Sequence, residues 1–254
     1  MCNLLNRSLE IGKLPGILKS ANITSVLKVA KPTSHNDYRP ISVTSVVSRF
    51  FERIVSAQYL SKAVEEQLSK NQFAFRKNSS TEVALNRIQY NVCKNLDNPH
   101  CKYVRTFLID FKKPFDFVKH GLLFKQREQL SMPNIVFNFF TGRIQRVVMS
   151  DRFSTFGTFS RGIPQGTLCG QVLFSIFIDD LQTVEQSNSI AKYADDTTLL
   201  VPIFDSKSNS SATEIQYILD WCEKYMVLNL NKTKEIVCSF STMKYFLMKM
   251  HNIQ

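Results

Sequence analysis

No two of the six cysteines (Cys2, Cys93, Cys101, Cys169, Cys222, Cys238) fall at C-x-x-C spacing. The four histidines, His35, His100, His120 and His251, offer no zinc-ligand spacing either. These absences exclude the common zinc modules and a dithiol redox centre, and the scattered thiols fit a reduced compartment. No apolar run reaches membrane-spanning length; the best, VLFSIFI at 172–178, stops at Asp179. The opening MCNLLNRSLEIGKLPG lacks the continuous apolar core of a signal peptide. An intracellular setting is therefore expected, nucleus or cytoplasm, without membrane contact; no dense basic run marks nuclear import. Internal repeats and low-complexity tracts are missing, which leaves out repeat architectures. Acids are scarce: 21 Asp and Glu stand against 32 Lys and Arg, a formal net charge of +11 over 254 residues. That excess fits simple solubility, and it suits a polyanionic partner better, because basic surfaces displace counterions from phosphate backbones.

What is present is ordinary globular material, 44% hydrophobic and 21% charged. The first forty residues read as strands and loops, broken by Pro15, Pro32 and Pro40. Over 45–66, Val46, Val47, Phe50, Phe51, Ile54 and Val55 recur at helical spacing. A second helix is expected from Thr81 to Leu96, and YVRTFLID (103–110) reads as a buried strand ending in a carboxylate. GLLFKQREQL predicts a helix stopped by Pro133, and IVFNFF begins another. QRVVMSDRFSTFGTFSRG reads as a strand pair, and helical spacing returns at 171–181. SIAKYADDTTLLVP (189–202) supplies strand, turn and strand. Ser211 with Glu214 forms a capping-box signature for a helix to about Tyr225, and EIVCSF is a last strand. Strands adjacent in sequence read as antiparallel hairpins, so the expected class is α+β.

Two neighbouring carboxylates, Asp195 and Asp196, sit among apolar and β-branched residues. Repulsion and desolvation both penalise such a pair unless a cation neutralises it. Magnesium takes oxygen ligands, commonly one or two carboxylates plus substrate phosphates. A third acid at the end of a neighbouring strand is then expected, and Asp110 follows the apolar run Thr106 to Ile109. Asp110 with Asp195 would hold two metal ions that bridge a triphosphate and a strand's hydroxyl. The other double aspartate, in FIDDL (177–181), ends a helical run and reads as structural.

YADD (193–196) resembles the catalytic box of reverse transcriptases, and further segments accompany it in order. FLIDFKKPFDFVKH (107–120) resembles the first aspartate box of non-LTR (LINE-type) retrotransposon reverse transcriptases. GIPQGTLCGQVLF (162–174) resembles their glycine–proline–glutamine–glycine loop. NDYRPISVTSVVSRFFERIV (36–55) and NQFAFRKNSSTEVAL (71–85) resemble their fingers segments, and WCEKYMVLNLNKTKEIV (221–237) their lysine box. The resemblance implies right-hand polymerase fingers and palm, with a mostly antiparallel palm sheet flanked by helices and no thumb. It places fingers and palm over 1–240, fingers mainly 1–102 and palm mainly 103–240, before a divergent tail at 241–254. It implies an RNA-directed DNA polymerase that transfers nucleotides from dNTP to a primer 3′-hydroxyl, with RNA template, DNA primer and Mg²⁺, or Mn²⁺ in its place. Asp110, Asp195 and Asp196 become the metal ligands, with Lys232 the acid that protonates pyrophosphate. Lys28 (ahead of Lys31) and Arg39 become the grip on the triphosphate. Phe115 becomes the steric gate under the sugar, Gln165 part of the nucleotide pocket, and Tyr193 a neighbour of the primer end. Arg143 and Arg146 read as either template contacts or a solvated face, and Trp221 as a core anchor.

Three positions depart from the family's pattern. Ala74 stands where glycine is usual and would strain a turn that needs positive φ. Pro114 replaces alanine beside the gate residue, removing a backbone donor, and Gln171 replaces proline. The resemblance also implies that the endonuclease and thumb of a parent polyprotein are missing. A catalytically silent truncated remnant that keeps nucleic-acid binding is the alternative reading.

Overall fold

The structure, a computed structural model, describes residues 2–124, 132–205, 209–240 and 246–252. In chain order the strands are β1 (Ser20–Leu27), β2 (Tyr38–Thr44), β3 (Tyr103–Ile109), β4 (Ile144–Met149), β5 (Arg152–Phe153) and β6 (Gly157–Thr158). They continue with β7 (Ser189–Tyr193), β8 (Asp196–Ile203), β9 (Lys234–Phe240) and β10 (Phe246–Asn252). The chain forms two compact units, each assembled from two stretches: Met1–Gln67 with Val118–Phe177, and Leu68–Phe117 with Ile178–Gln254. Helices are interspersed with two sheets, one in each unit, which is the expected α+β class.

In the first unit the sheet runs β2-β1-β4-β5, with β6 also on β4. β1 pairs antiparallel with β2 and parallel with β4. The helix Val46–Val55 starts where Ser45 accepts a hydrogen bond from the Ser48 amide at 3.1 Å. It passes through a wider turn at Ser56–Leu60 into a further helix, Ser61–Gln67. Its Phe51 and Val55 are buried, as the helical spacing requires. The helix Leu168–Phe177 is buried at eight of its ten positions, an apolar all-round pattern that marks a core helix. One expectation fails at the start of the chain. Residues Cys2–Ile11 form a helix with Leu5 and Ser8 buried, and it stops at Gly12, whose φ is +64°. The prolines used as breakers all lie beyond it. The expected helix over GLLFKQREQL is formed at residues 121–124, and the rest of it lies outside the described residues.

In the second unit the sheet runs β10-β9-β3-β8-β7, every pair antiparallel. The helix Thr81–Leu96, capped by the Ser80 hydroxyl on the Val83 amide, lays Val92 and Leu96 against Val104, Leu200 and Cys238. It lies within the stretch expected to be fingers, yet packs on this sheet. Within the stretch 241–254, β10 pairs with β9 along seven residues.

The helix Ser211–Tyr225 forms as expected, but not through a capping box. Ser210 stands at its cap, and its hydroxyl accepts from Asn188 Nδ2 at 2.9 Å rather than from the helix's first turn. Glu214 is fully buried and its carboxylate turns elsewhere, accepting from the amides of Val184 and Glu185 and from the Asn188 side chain at 2.7–3.1 Å. It supplies acceptors for a loop that has no ladder of its own. Replacing Glu214 with Ala strands these donors, and stability should fall by about 3 kcal/mol; chemical denaturation of the two proteins measures it.

Candidate active site

The sequence-predicted residues divide between the units. Asp110, Phe115, Tyr193, Asp195, Asp196 and Lys232 belong to the second, and Lys28, Arg39 and Gln165 to the first.

In the second unit, β7 and β8 meet in a two-residue turn, with Tyr193 paired to Asp196. Ala194 and Asp195 are the central residues. Ala194 has φ +55° and Asp195 does not share the left-handed region, so the turn puts its positive φ at the first central position, where glycine is favoured. Asp195 sits at the tip and Asp196 begins β8. Asp110 is the residue after β3. The last β3–β8 pair is Ile109 with Thr197, and one more step of that register sets Asp110 opposite Asp196. Opposed residues of an antiparallel pair share a face. All three acids thus occur at one end of one sheet. Among the described residues, however, no three His, Cys, Asp or Glu side chains are gathered closely enough to hold a metal ion.

The LNLNKT segment secures Asp110. Asn229 Nδ2 donates to Asp110 Oδ2 at 2.6 Å, and its amide donates to the Asp110 carbonyl at 2.8 Å. The Asp110 amide donates to Thr233 Oγ1 at 3.3 Å, and Thr233 in turn donates to the Asn229 carbonyl. Lys232 is exposed on this turn. Phe115 is half-buried in the short helix Pro114–Phe117. A cavity of about 210 Å³ opens beside Tyr193 and Asp196, walled by Ala84, Leu85 and Ile88 of the Thr81–Leu96 helix. Asn229 and Gln72, discussed below, are functional candidates that sequence reasoning passed over. Asn229 lies in a quoted box, but nothing in its spacing marks it.

FIDDL is structural, as expected. Asp179 accepts from the Ser69 amide and lies 3.7 Å from Lys192 Nζ. Asp180 accepts from Trp221 Nε1 at 3.1 Å, and burial raises its pKa. Trp221 is buried and stacks on Tyr225, with ring centroids 4.9 Å apart. Lys192 has no exposed surface; its ammonium donates to the carbonyls of Ile178, Asp179 and Leu181 at 2.8–3.0 Å, and burial pulls its pKa down to about 8.

In the first unit, Lys28 and Arg39 share the exposed face of the β1–β2 ribbon. Arg39 opposes Val26, and the Lys28 amide continues the ladder to the Asp37 carbonyl at 2.8 Å. Asp37 ties the connecting loop by accepting from the Thr33 and Ser34 amides, which lowers its pKa. The loop bearing Gln165 is fixed from several sides. The Gln165 carbonyl accepts from the Ser42 amide of β2 at 2.9 Å, and Gly162 accepts from His120 Nε2 at 2.7 Å. Gly166 has φ +91°, and a Cβ there would lie 3.1 Å from Ile41. At Gly170 a Cβ would come within 2.7 Å of Ile163 and of the Pro164 carbonyl, so the loop closes on its helix only around glycine.

Just beyond the loop, buried Glu52 accepts from the Leu168 amide at 2.9 Å, holding the first turn of the Leu168–Phe177 helix. Arg143 corrects both of its expected roles. It is fully buried, donates to the Phe139 carbonyl at 3.1 Å and lies over the Phe139 ring, so it is neither solvated nor exposed to a template. Burial lowers its pKa to about 10, against the raising pull of Glu52. Arg146 is half-buried, bonded to Asn22 and set over Phe153 and Phe156.

With this geometry in view, the comparisons with known proteins are direct. The profile of the reverse transcriptase (RNA-dependent DNA polymerase) family matches residues 29–249. The chain belongs to the reverse transcriptase family. Within it, the chain is related to the polymerases of non-LTR retrotransposons. It is 31% identical over 252 residues to the RNA-directed DNA polymerase from mobile element jockey of Drosophila melanogaster, covering 92% of this chain and 27% of that protein. It is 28% identical to the probable RNA-directed DNA polymerase from transposon BS of the same organism, again over 92% and 27%. The reverse transcriptase domain thus spans about a quarter of the length of these relatives. Telomerase from Candida albicans shares the fold, with a TM-score of 0.58 at 16% identity over 94% of this chain and 46% of that one. The family match runs past Phe240 into β10 and begins one residue after Lys28. No helix among the described residues is long and apolar enough to cross a membrane.

Burial pushes the Glu52 carboxyl from its ordinary 4.5 up to about 7. A raised carboxyl favours its protonated form in the folded state. Its contribution is whole below about pH 4.5 and is lost as pH rises through about 7. Glutamine imitates the neutral acid. Glu52→Gln should therefore match the wild type near pH 4.5 and exceed its stability by about 3 kcal/mol above pH 7; denaturant midpoints at the two pH values decide it.

Proposed function

We propose that this reverse transcriptase domain catalyses RNA-directed DNA synthesis, adding deoxynucleotides to a primer 3′-hydroxyl on an RNA template. The observation that carries the reading is the end of the second unit's sheet. Asp195 and Asp196 form its tip, and Asp110, oriented by Asn229, follows the neighbouring strand.

The donor set fits magnesium, since it consists of hard carboxylate oxygens and one member is aligned by an outer amide, as outer-shell partners align metal ligands. Asp110, Asp195 and Asp196 would hold the ions. Magnesium, or manganese in its place, supplies charge neutralisation on the phosphates and a lowered pKa for the attacking hydroxyl. The protein's own share is placement. Arg39 and Lys28, on one exposed face, meet the triphosphate; the guanidinium suits it by bidentate bonding. Gln165, on a loop locked by glycines and by Ser42, lines the nucleotide pocket. Phe115 excludes a 2′-hydroxyl, Tyr193 packs at the primer end, and Lys232 gives a proton to departing pyrophosphate. The polymerase reading includes right-hand fingers and palm, with RNA, DNA and dNTP as partners. A nucleic-acid-binding domain without catalysis is the competing outcome of the same assay.

Primer extension on an RNA template with dNTP and magnesium tests the proposal. Extension that disappears in Asp195→Ala supports it, and a folded wild-type chain that binds template–primer without extending it refutes it. Within that assay, Asn229→Ala should raise the magnesium concentration for half-maximal extension by about ten-fold, as loss of a ligand-orienting partner does.

A further inference from the structure

Gln72 has no exposed surface, and its Oε1 accepts from two main-chain amides, Ala74 at 3.0 Å and Ala194 at 3.3 Å. Both neighbours are N–H donors, which fixes the oxygen rather than the nitrogen of the amide at that place. Ala194 is the left-handed residue of the catalytic turn. A non-glycine residue there costs on the order of 1–3 kcal/mol and persists only where its surroundings over-determine it.

The flanking main chain reinforces the contact. The Asn71 carbonyl accepts from the Lys192 amide and the Phe73 amide donates to the Lys192 carbonyl, both at 2.8 Å. Gln72 thereby runs parallel to β7 along the outer side of the hairpin, leaving β8 to hold its inner side.

We propose that Gln72 is a positioning residue for the polymerase reaction: its side-chain oxygen holds the Ala194 peptide in the one orientation that presents Asp195. The inference rests on the function proposed above. Removing the acceptor leaves the buried Ala194 amide without its partner, and a turn in the left-handed region relaxes most readily by rotating that peptide.

Three proteins test it: wild type, Gln72→Met (similar volume, no acceptor) and Gln72→Met with Ala194→Gly. Two readouts are used, steady-state primer extension and hydrogen exchange at the Ala194 amide. Gln72→Met should lower kcat about ten-fold while KM for dNTP stays within about two-fold, the pattern of a lost placement rather than lost binding. Ala194 should exchange about ten-fold faster, with β3 and β9 amides unchanged. Adding Ala194→Gly should restore much of kcat, because glycine adopts positive φ without strain; a merely packing role for Gln72 gives no such rescue. Unchanged kcat and exchange in Gln72→Met, or a loss of kcat that glycine does not rescue, overturns the proposal. So does a wild-type Ala194 amide that exchanges as fast as an exposed one, a measurement that needs no variant to fold. If the wild type extends no primer, the polymerase reading falls, and hydrogen exchange alone decides the role of Gln72.

Discussion

The structure of the second unit depends on a two-residue turn that an alanine makes in a conformation suited to glycine. A turn of this kind is stable only if the strands on either side cannot drift. β8 satisfies that condition by lying between β3 and β7, with every residue from Thr197 to Ile203 buried. A slip of one residue would exchange its two faces, and both are committed to the core. The turn, and with it Asp195, inherits its position from that register. Asp110 inherits its own from the same strand pair and from the Asn229 turn that grips its backbone and its carboxylate together.

Three buried charged side chains do one kind of work: each binds main-chain groups at or beside an irregular segment. Lys192 gathers the carbonyls of Ile178, Asp179 and Leu181, in the irregular stretch just after a helix ends at Phe177. Glu214 gathers amides at Val184 and Glu185. Glu52 takes the Leu168 amide at the opposite kind of helix end. Donor and acceptor match in each case, with the Lys192 ammonium on carbonyls and the Glu214 and Glu52 carboxyl oxygens on amides. The loop 163–167 is fixed differently, by a main-chain bond from the Ser42 amide of β2 to the Gln165 carbonyl.

Much of this was legible in the sequence, for identifiable reasons. The helix expected from Thr81 to Leu96 forms between those bounds, and β3, β7 and β8 follow their apolar and β-branched runs. The paired acids stood out because a strand penalises them. Other features were hidden because they are long-range. Glu214 sits three residues after Ser211 as a capping box requires, yet tertiary donors outcompete the local amide for its carboxylate. Arg143 looked like surface because arginine usually is; its burial over Phe139 depends on residues that pattern alone does not bring together. The opening helix was missed because its few buried positions, Leu5 and Ser8, give a weak stripe. Gln72 and Asn229 carry no charge and no motif chemistry, so only coordinates reveal what their amides touch.

The three departures from the family's pattern can now be weighed by backbone geometry. Ala74 does not occupy the left-handed region; Phe75 beside it does, at φ +58°, so the feared strain falls on a different residue. Pro114 is the first residue of the Pro114–Phe117 helix, a place where the absent amide has no intrahelical acceptor and a fixed φ is an advantage. The helix still closes, with the Asp116 amide on the Lys113 carbonyl at 2.9 Å. Gln171 adds a donor that proline lacks, and it reaches the Thr167 carbonyl at 3.4 Å. None of the three removes a hydrogen bond that the local fold requires. Lys113 is strained as well, at φ +45° directly before a proline, three residues from Asp110. These departures therefore bear on the direction of the segment that follows Asp110, while the fold around it is kept whole.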